Sequence, residues 1–257
     1  MRTFLDTFPV PVVFLFIVAT TWLAIEVGYR IGRKQVLRGS AAADGSAGGI
    51  QGSILALLAF VLALTFNMAL TRFEARKQIV MAEANAIGTC YLRAELLSSP
   101  LDSEIRALLR EYVDVRVEIV QTLELATGIA RSEELQADLW DAAVRLSRED
   151  AGSFATLLFT QSLNDLIDIH EQRVVAGIYD RLPAAIIVVL YLVSILAMLA
   201  VGYFLAASGS RRTVANLALV LAFALVAILI VDLDRPGTGL FTTNQQAMLH
   251  LQASMTE

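Results

Sequence analysis

Four long apolar stretches, free of charged side chains, dominate the hydrophobic pattern of this chain. Each has about the 20 residues that an α-helix needs to cross the hydrocarbon core of a bilayer. We therefore predict an all-α integral membrane protein with four transmembrane helices in two hairpins, surrounded by a lipid bilayer. The stretches cover residues 8–25, 50–71, 182–207 and 213–231.

The first apolar stretch also has a feature of a signal peptide, because Arg2 precedes it. Basic residues follow it at the place where a cleavage site needs small neutral side chains, so we expect it to be retained as a helix. The domain boundaries predicted from the pattern are a first transmembrane hairpin at 1–71, a helical region outside the membrane at 72–181, a second transmembrane hairpin at 182–232 and a C-terminal tail at 233–257.

The segment between the hairpins is polar and helical in pattern. Residues 72–97 lack proline and are rich in helix formers, so we expect the second transmembrane helix to continue, unbroken, beyond the bilayer. Pro100 favours the start of a new helix, and we expect that helix to end at Gly128. Ser132 is expected to begin the helix after it. The apolar positions of the predicted helices are Ile105, Leu108, Leu109, Tyr112 and Val113, then Leu135, Leu139 and Leu146, and finally Phe154, Leu157, Leu158, Leu163, Leu166 and Ile167.

The loops that close the two hairpins are short and basic. The first runs through a flexible Gly-, Ala- and Ser-rich linker at 39–49, and the second spans 208–213. Because cytoplasmic loops carry an excess of Lys and Arg, this pattern favours a helical region outside the cytoplasm. The basic residues are Arg30, Arg33, Lys34, Arg38, Arg211 and Arg212.

Composition narrows the function further. Mean hydropathy is +0.63 and 56% of residues are hydrophobic, which supports a membrane protein. Residues 72–181 contain 12 basic and 19 acidic side chains, so we expect no nucleic-acid partner. The single cysteine, Cys90, and the two histidines do not form a zinc-binding pattern, and no catalytic motif is present. We predict neither an enzyme nor a bound cofactor or metal.

Three polar clusters carry a resemblance to a known family. They read "EANAIGTCYLR" at 83–93, "HEQR" at 170–173 shortly before "YDRLP" at 179–183, and "DLDRPGTG" at 232–239. In this order, and with four predicted membrane helices, they resemble the bestrophin-like family of bacterial and plant membrane proteins. We accordingly expect the protein in the bacterial inner membrane.

The resemblance implies an architecture. Bestrophin anion channels have two membrane hairpins flanking a helical domain and assemble as pentamers around an axial pore. The acidic calcium clasp of the animal channels has no counterpart in this sequence, so calcium gating does not carry over. Bestrophins also hold their helical domain in the cytoplasm, whereas the loop charges here favour the opposite side, and both orientations remain open.

The second transmembrane helix has a polar and aromatic stripe. Ser53, Phe60, Asn67 and Glu74 recur every seven residues and so lie close to one helix face. In an oligomer they would line a pore, with Phe60 as a hydrophobic constriction. The alternative is a helix packed inside its own bundle, with Asn67 bonded to a neighbour. Small residues suited to close helix contacts between subunits flank the stripe: Gly49, Gly52, Ala56, Ala59 and Ala63. The first helix has two more, Gly28 and Gly32.

The charged residues of the three clusters are candidates for a structural polar network. Solvated surface charges explain Glu83 and Arg93 equally well, and neighbours such as His170 and Glu171 point apart on a helix. At the end of the fourth helix, two carboxylates expected at headgroup level face an unfavourable helix dipole, so we expect either a lock onto Arg72, Arg76 and Lys77 at the base of the second helix or an ion site. Pro236, Gly237 and Gly239 then predict a sharp turn, which lets the C-terminal tail lie against the helical region. The candidates are Glu83, Arg93, His170, Glu171, Arg173, Asp232, Asp234 and Arg235.

Two functions follow from these patterns. The first is a homo-oligomeric ion channel or passive transport protein for inorganic ions, lined by the second membrane helix. The alternative is a non-conducting membrane scaffold or signalling protein whose acidic helical region binds a protein partner. Exposure of the stripe to water favours the first, and burial of the stripe within one protomer favours the second.

Overall fold

A computed structural model describes residues 8–38, 46–122, 124–149, 152–209, 213–235 and 239–256. Within these ranges the protein is all-α, as predicted, with eight helices and no strand. The predicted turn at Pro236 and Gly237, the loop arginines Arg211 and Arg212, and most of the 39–49 linker lie outside the described residues. The helices are α1 (Val10–Leu37), α2 (Ser46–Ala94), α3 (Leu101–Thr122), α4 (Leu125–Glu149), α5 (Phe154–Ile178), α6 (Ala184–Ala207), α7 (Thr213–Asp234) and α8 (Gln246–Ser254).

Four of these helices, α1, α2, α6 and α7, are long and apolar enough to cross a membrane, which confirms the prediction of four such segments. The second is one continuous helix of 49 residues, so α2 does run on far beyond a bilayer-length segment. The chain divides into a membrane unit, Met1–Arg72 with Arg181–Arg235, and a helical unit, Phe73–Asp180 with Pro236–Glu257.

The membrane unit is built on close packing of α1 against α6, with α7 also against α1. A Cβ atom on Gly28 would lie 2.0 Å from the Leu199 carbonyl oxygen, and one on Gly202 would lie 1.9 Å from that of Ile25. The two backbones are therefore so close that only glycine fits at the crossing. We expected Gly28 and Gly32 to serve contacts between subunits, but the structure uses both against α6 of the same chain. The hairpin arrangement stays a prediction.

The helical unit has a conventional apolar core. Its largest fully buried side chains include Ile105, Leu109 and Tyr112 of α3, Leu135 and Leu139 of α4, and Leu163 and Leu166 of α5. The pattern in the sequence had predicted these positions. Phe154 and Leu157, assigned to the same apolar face of α5, are instead 72% and 63% exposed. They lie on the outer face of the first turn of α5, about 180° around the helix from Leu163 and Leu166, whereas Thr156 of the same turn is buried.

The boundary between α3 and α4 differs from the prediction. Gly128 and Ser132 lie inside α4, and Ser132 Oγ donates to the Gly128 carbonyl oxygen instead of capping a new helix. A Cβ atom on Gly128 would lie 2.0 Å from Cγ1 of Ile119 on α3. Gly128 therefore permits a close approach of the two helices and does not end one of them.

The C-terminal segment packs back onto the helical unit. Met248 of α8 is fully buried, and Met255 is 5% exposed. Gln252 Nε2 donates to Asp114 Oδ1 on α3 at 2.7 Å. The expectation that the tail lies against the helical region is thus met by α8.

Candidate functional site

The α2 stripe, which comprises Ser53, Phe60, Asn67 and Glu74, is exposed along its whole length. The Phe60 ring is 61% exposed. The side of α2 that is buried in the membrane unit is the opposite face, where Leu58, Thr65 and Ala69 lie. The described part of the protomer therefore does not enclose the stripe.

The side chain of Asn67 is the most unusual member of the stripe. It belongs to a membrane-length apolar segment, is exposed, and has no hydrogen-bond partner within the described part of the protomer. Ser53, in contrast, donates to the Gly49 carbonyl oxygen of its own helix at 2.9 Å. Asn67 consequently needs water or another molecule to satisfy its amide group.

The small residues beside the stripe are also open. Among the residues that the structure describes, none has an atom within 4 Å of a Cβ built on Gly49 or Gly52. Ala56, Ala59 and Ala63 are exposed as well. This small-residue face is free to accept a close neighbour, unlike the glycines of α1.

A buried polar network lies in the helical unit, centred on Glu83 of α2, which is completely buried. Its Oε1 lies 3.0 Å from Arg116 Nε on α3. Its Oε2 accepts from Arg173 Nη1 on α5, and Arg173 Nη2 donates to Gln245 Oε1 at 3.3 Å. One carboxylate thus neutralises only one of two enclosed guanidinium groups.

Tyr112 joins the remaining members of this network. Its hydroxyl donates to Glu83 Oε1 at 3.3 Å and accepts from Gln136 Nε2 at 3.2 Å, and its oxygen lies 2.8 Å from His170 Nδ1. Because the Tyr112 proton is donated to the carboxylate, we assign the hydrogen of the neutral His170 ring to Nδ1, which donates to the Tyr112 oxygen. His170 Nε2 has no hydrogen-bond partner among the described residues.

Burial and the nearby Arg116 lower the pKa of His170 to about 4, against a weaker opposing effect of Glu83. Burial and the charge of Glu83 raise the pKa of Tyr112 well above its ordinary value. Both groups are therefore neutral near pH 7. The network carries an excess positive charge that Glu83 limits.

The sequence had indicated Glu83, His170 and Arg173 of this network, but it missed Tyr112 as a polar member and missed Arg116 and Gln136 altogether. The available signal was a polar residue at an inward-facing helical position. Arg116 follows Tyr112 by one turn, and Gln136 follows the buried Ser132 by one turn.

Two other candidates lie outside the network. Arg93 Nη1 donates to the Leu158 carbonyl oxygen at 2.8 Å and so ties the end of α2 to the start of α5. Glu171, next to His170, is exposed. The helical geometry that separates neighbouring side chains explains its position.

The third cluster lies at the end of α7. We expected its carboxylates near the headgroups, yet Asp232, Asp234 and Arg235 are only 1%, 5% and 5% exposed. Asp234 Oδ1 accepts from the Leu182 backbone N–H at 2.9 Å, just before α6 begins. A helix N-terminus favours a carboxylate, which offsets the unfavourable end of α7.

Asp234 also has a cation nearby, since its Oδ2 lies 3.9 Å from Arg181 Nη1. Arg235 Nη2 donates to the Phe8 carbonyl oxygen at 3.0 Å, ahead of α1. These contacts connect the ends of three membrane helices. The predicted lock onto Arg72, Arg76 and Lys77 at the base of α2 stays a prediction, as does the alternative of an ion site.

These features define an all-α membrane protein with four bilayer-length helices, a long second helix and a compact helical unit. The family model of the Bestrophin-like domain matches residues 15–248, nearly the whole chain. The chain belongs to the bestrophin-like family, as its three polar clusters had indicated. Comparison with curated proteins and with solved structures returned no match.

Proposed function

We propose that the protein is a homo-oligomeric membrane channel or passive transport protein for inorganic ions, with α2 lining the pathway. The observation that carries this proposal is the exposure of the α2 stripe in the protomer. A stripe enclosed by its own bundle would have favoured a structural role.

The environment of the exposed stripe decides between lipid and water. An unpartnered Asn67 facing lipid tails is unfavourable, because hydrocarbon offers its amide no hydrogen bond. Water in a pore, or a neighbouring copy of α2, removes that cost. Copies of α2 around an axis supply both at once, and the small-residue face lets them approach closely.

Phe60 is the narrowest point of the proposed pathway. A ring of aromatic side chains excludes water from a pore and closes it to ions, whereas Ser53 and Asn67 above and below it are polar. The likeness to bestrophins implies five copies. The proposal requires a symmetric ring of protomers, and it does not depend on there being five of them.

The test uses single cysteines and a charged thiol reagent that does not enter lipid. The native Cys90 is buried, so an introduced cysteine is the reactive one. In liposomes, Asn67→Cys should react, while Leu57→Cys should not. Leu57 is 53% exposed but lies about 80° around α2 from Asn67, off the stripe. Equal labelling of the two positions, or labelling of neither, contradicts a water-filled pathway along the stripe.

A second candidate function, a scaffold that binds a protein partner, has one observation in its favour. Phe154 and Leu157 of α5 are exposed, as are Leu92 and Leu96 at the end of α2, and the Arg93–Leu158 bond holds these two segments together. This function is supported if Phe154→Ser and Leu157→Ser abolish a cellular phenotype while ion flux stays at the wild-type level. Loss of the phenotype through Asn67 variants alone argues against it.

A further inference from the structure

We propose that the pathway selects cations and that Glu74 is its selectivity-determining residue. This inference rests on the proposed function, and it departs from the anion selectivity that the likeness to bestrophin anion channels implies. It follows from which charges of α2 lie on the stripe and which do not.

Glu74 lies seven residues after Asn67, so it returns to the same face of α2 with about 20° of drift. It is exposed, and no ion pair or hydrogen bond of its side chain occurs among the described residues. Its carboxylate is therefore available to whatever the stripe faces.

The basic residues of the same segment lie elsewhere on the helix. At 3.6 residues per turn, Arg72 and Arg76 are turned about 140° and 180° from Asn67. Arg76 is also buried, at 7% exposure. Lys77 is exposed but lies about 80° from Asn67, on the flank of the stripe. Between Gly49 and Gln78, Glu74 is thus the one charged side chain on the stripe itself.

In an oligomer each copy contributes one Glu74, which makes a ring of carboxylates where the apolar segment ends. Rings of Asp or Glu draw cations to a pore and repel anions. The sequence from residue 72 to 181 has the same sign of charge as Glu74, since it carries 12 basic and 19 acidic side chains, a net charge of −7.

The test is the reversal potential of purified protein in planar bilayers under a KCl gradient. The current through the wild-type protein should reverse at a potential close to the K⁺ equilibrium potential, because K⁺ is more permeant than Cl⁻. Glu74→Gln should lower the K⁺/Cl⁻ permeability ratio about tenfold, and Glu74→Lys should favour Cl⁻. Lys77→Gln, one turn further and off the stripe, is the matched control and should keep or slightly raise the ratio.

The outcomes separate this inference from the proposed function. A wild-type protein that prefers Cl⁻, or a Glu74→Gln variant with an unchanged ratio, overturns the role of Glu74 and leaves a channel in place. The absence of any current from correctly inserted protein overturns the proposed function, and the selectivity with it.

Discussion

Replacing Glu83 by Gln is the sharpest perturbation of the helical unit. The substitution keeps the size of the side chain and removes its charge. Glu83 is completely buried and contacts Arg116 and Arg173, whose side chains are only 5% and 14% exposed. The variant therefore encloses two guanidinium groups with no counter-charge.

The expected cost follows from that loss. Removing one partner of a buried ion pair costs about 3–5 kcal/mol, because the remaining charge stays buried. The Gln amide oxygen can still accept one hydrogen bond, so we expect a loss of about 3 kcal/mol in the free energy of unfolding of the helical unit. Glu171→Gln is the matched control, since Glu171 is exposed and should change stability by less than about 0.5 kcal/mol.

Hydrogen exchange read by mass spectrometry resolves the helical unit from the membrane helices. A loss of about 3 kcal/mol corresponds to roughly 100-fold faster exchange of the core amides in α3 and α5. Peptides from α1 and α6 should exchange as in the wild type. Core amides that exchange no faster in Glu83→Gln than in Glu171→Gln would show that Glu83 does not compensate the two buried guanidinium groups.

Three further substitutions test the buried network, the α1–α6 crossing and the proposed constriction. The pKa of His170 is about 4, against 6.5 in the unfolded chain. Its contribution to the free energy of unfolding is therefore fully present above pH 6.5, and about 2–3 kcal/mol is lost as the pH drops toward 4. In thermal melts at a series of pH values, His170→Asn should flatten the dependence of stability on pH. His250→Asn, at an exposed position, should not. Gly202→Ala should cost about 3 kcal/mol in detergent melts because its Cβ meets a backbone carbonyl, whereas Gly177→Ala, with open space around it, should be tolerated. Phe60→Ala should raise ion flux into liposomes by removing the constriction.

Each of these has a clear contrary result. An unchanged pH slope in His170→Asn would mean that another group drives the acid loss. Equal melting of the two glycine variants would show that the α1–α6 crossing can separate at no cost. Unchanged flux in a folded and inserted Phe60→Ala protein would remove Phe60 as a gate.

The sequence predicted the membrane-length helices and most of the apolar core because both depend on periodic, local patterns. Tyr112, Leu135 and Leu163 are buried where a period of 3.6 residues puts them. Membership of the family could also be recognised from the sequence, since its polar clusters are short and contiguous motifs.

What the sequence could not show depends on contacts between distant segments. Gly128 looked like a terminator because its role is set by Ile119 on another helix. Gly28 looked like a surface for other subunits because its partner, α6, begins more than 150 residues later. Arg116 could not be assigned to the buried network from the sequence because its counter-charge, Glu83, lies on a different helix, α2.

In the proposed oligomer, α2 of several copies surrounds a common axis. A cryo-electron microscopy structure of the purified protein in a lipid nanodisc is the decisive measurement. We predict a cyclic homo-oligomer in which α2 is the innermost helix, with Phe60 and Asn67 facing the axis. A monomer, or an oligomer whose α2 stripe faces lipid away from the axis, would contradict it.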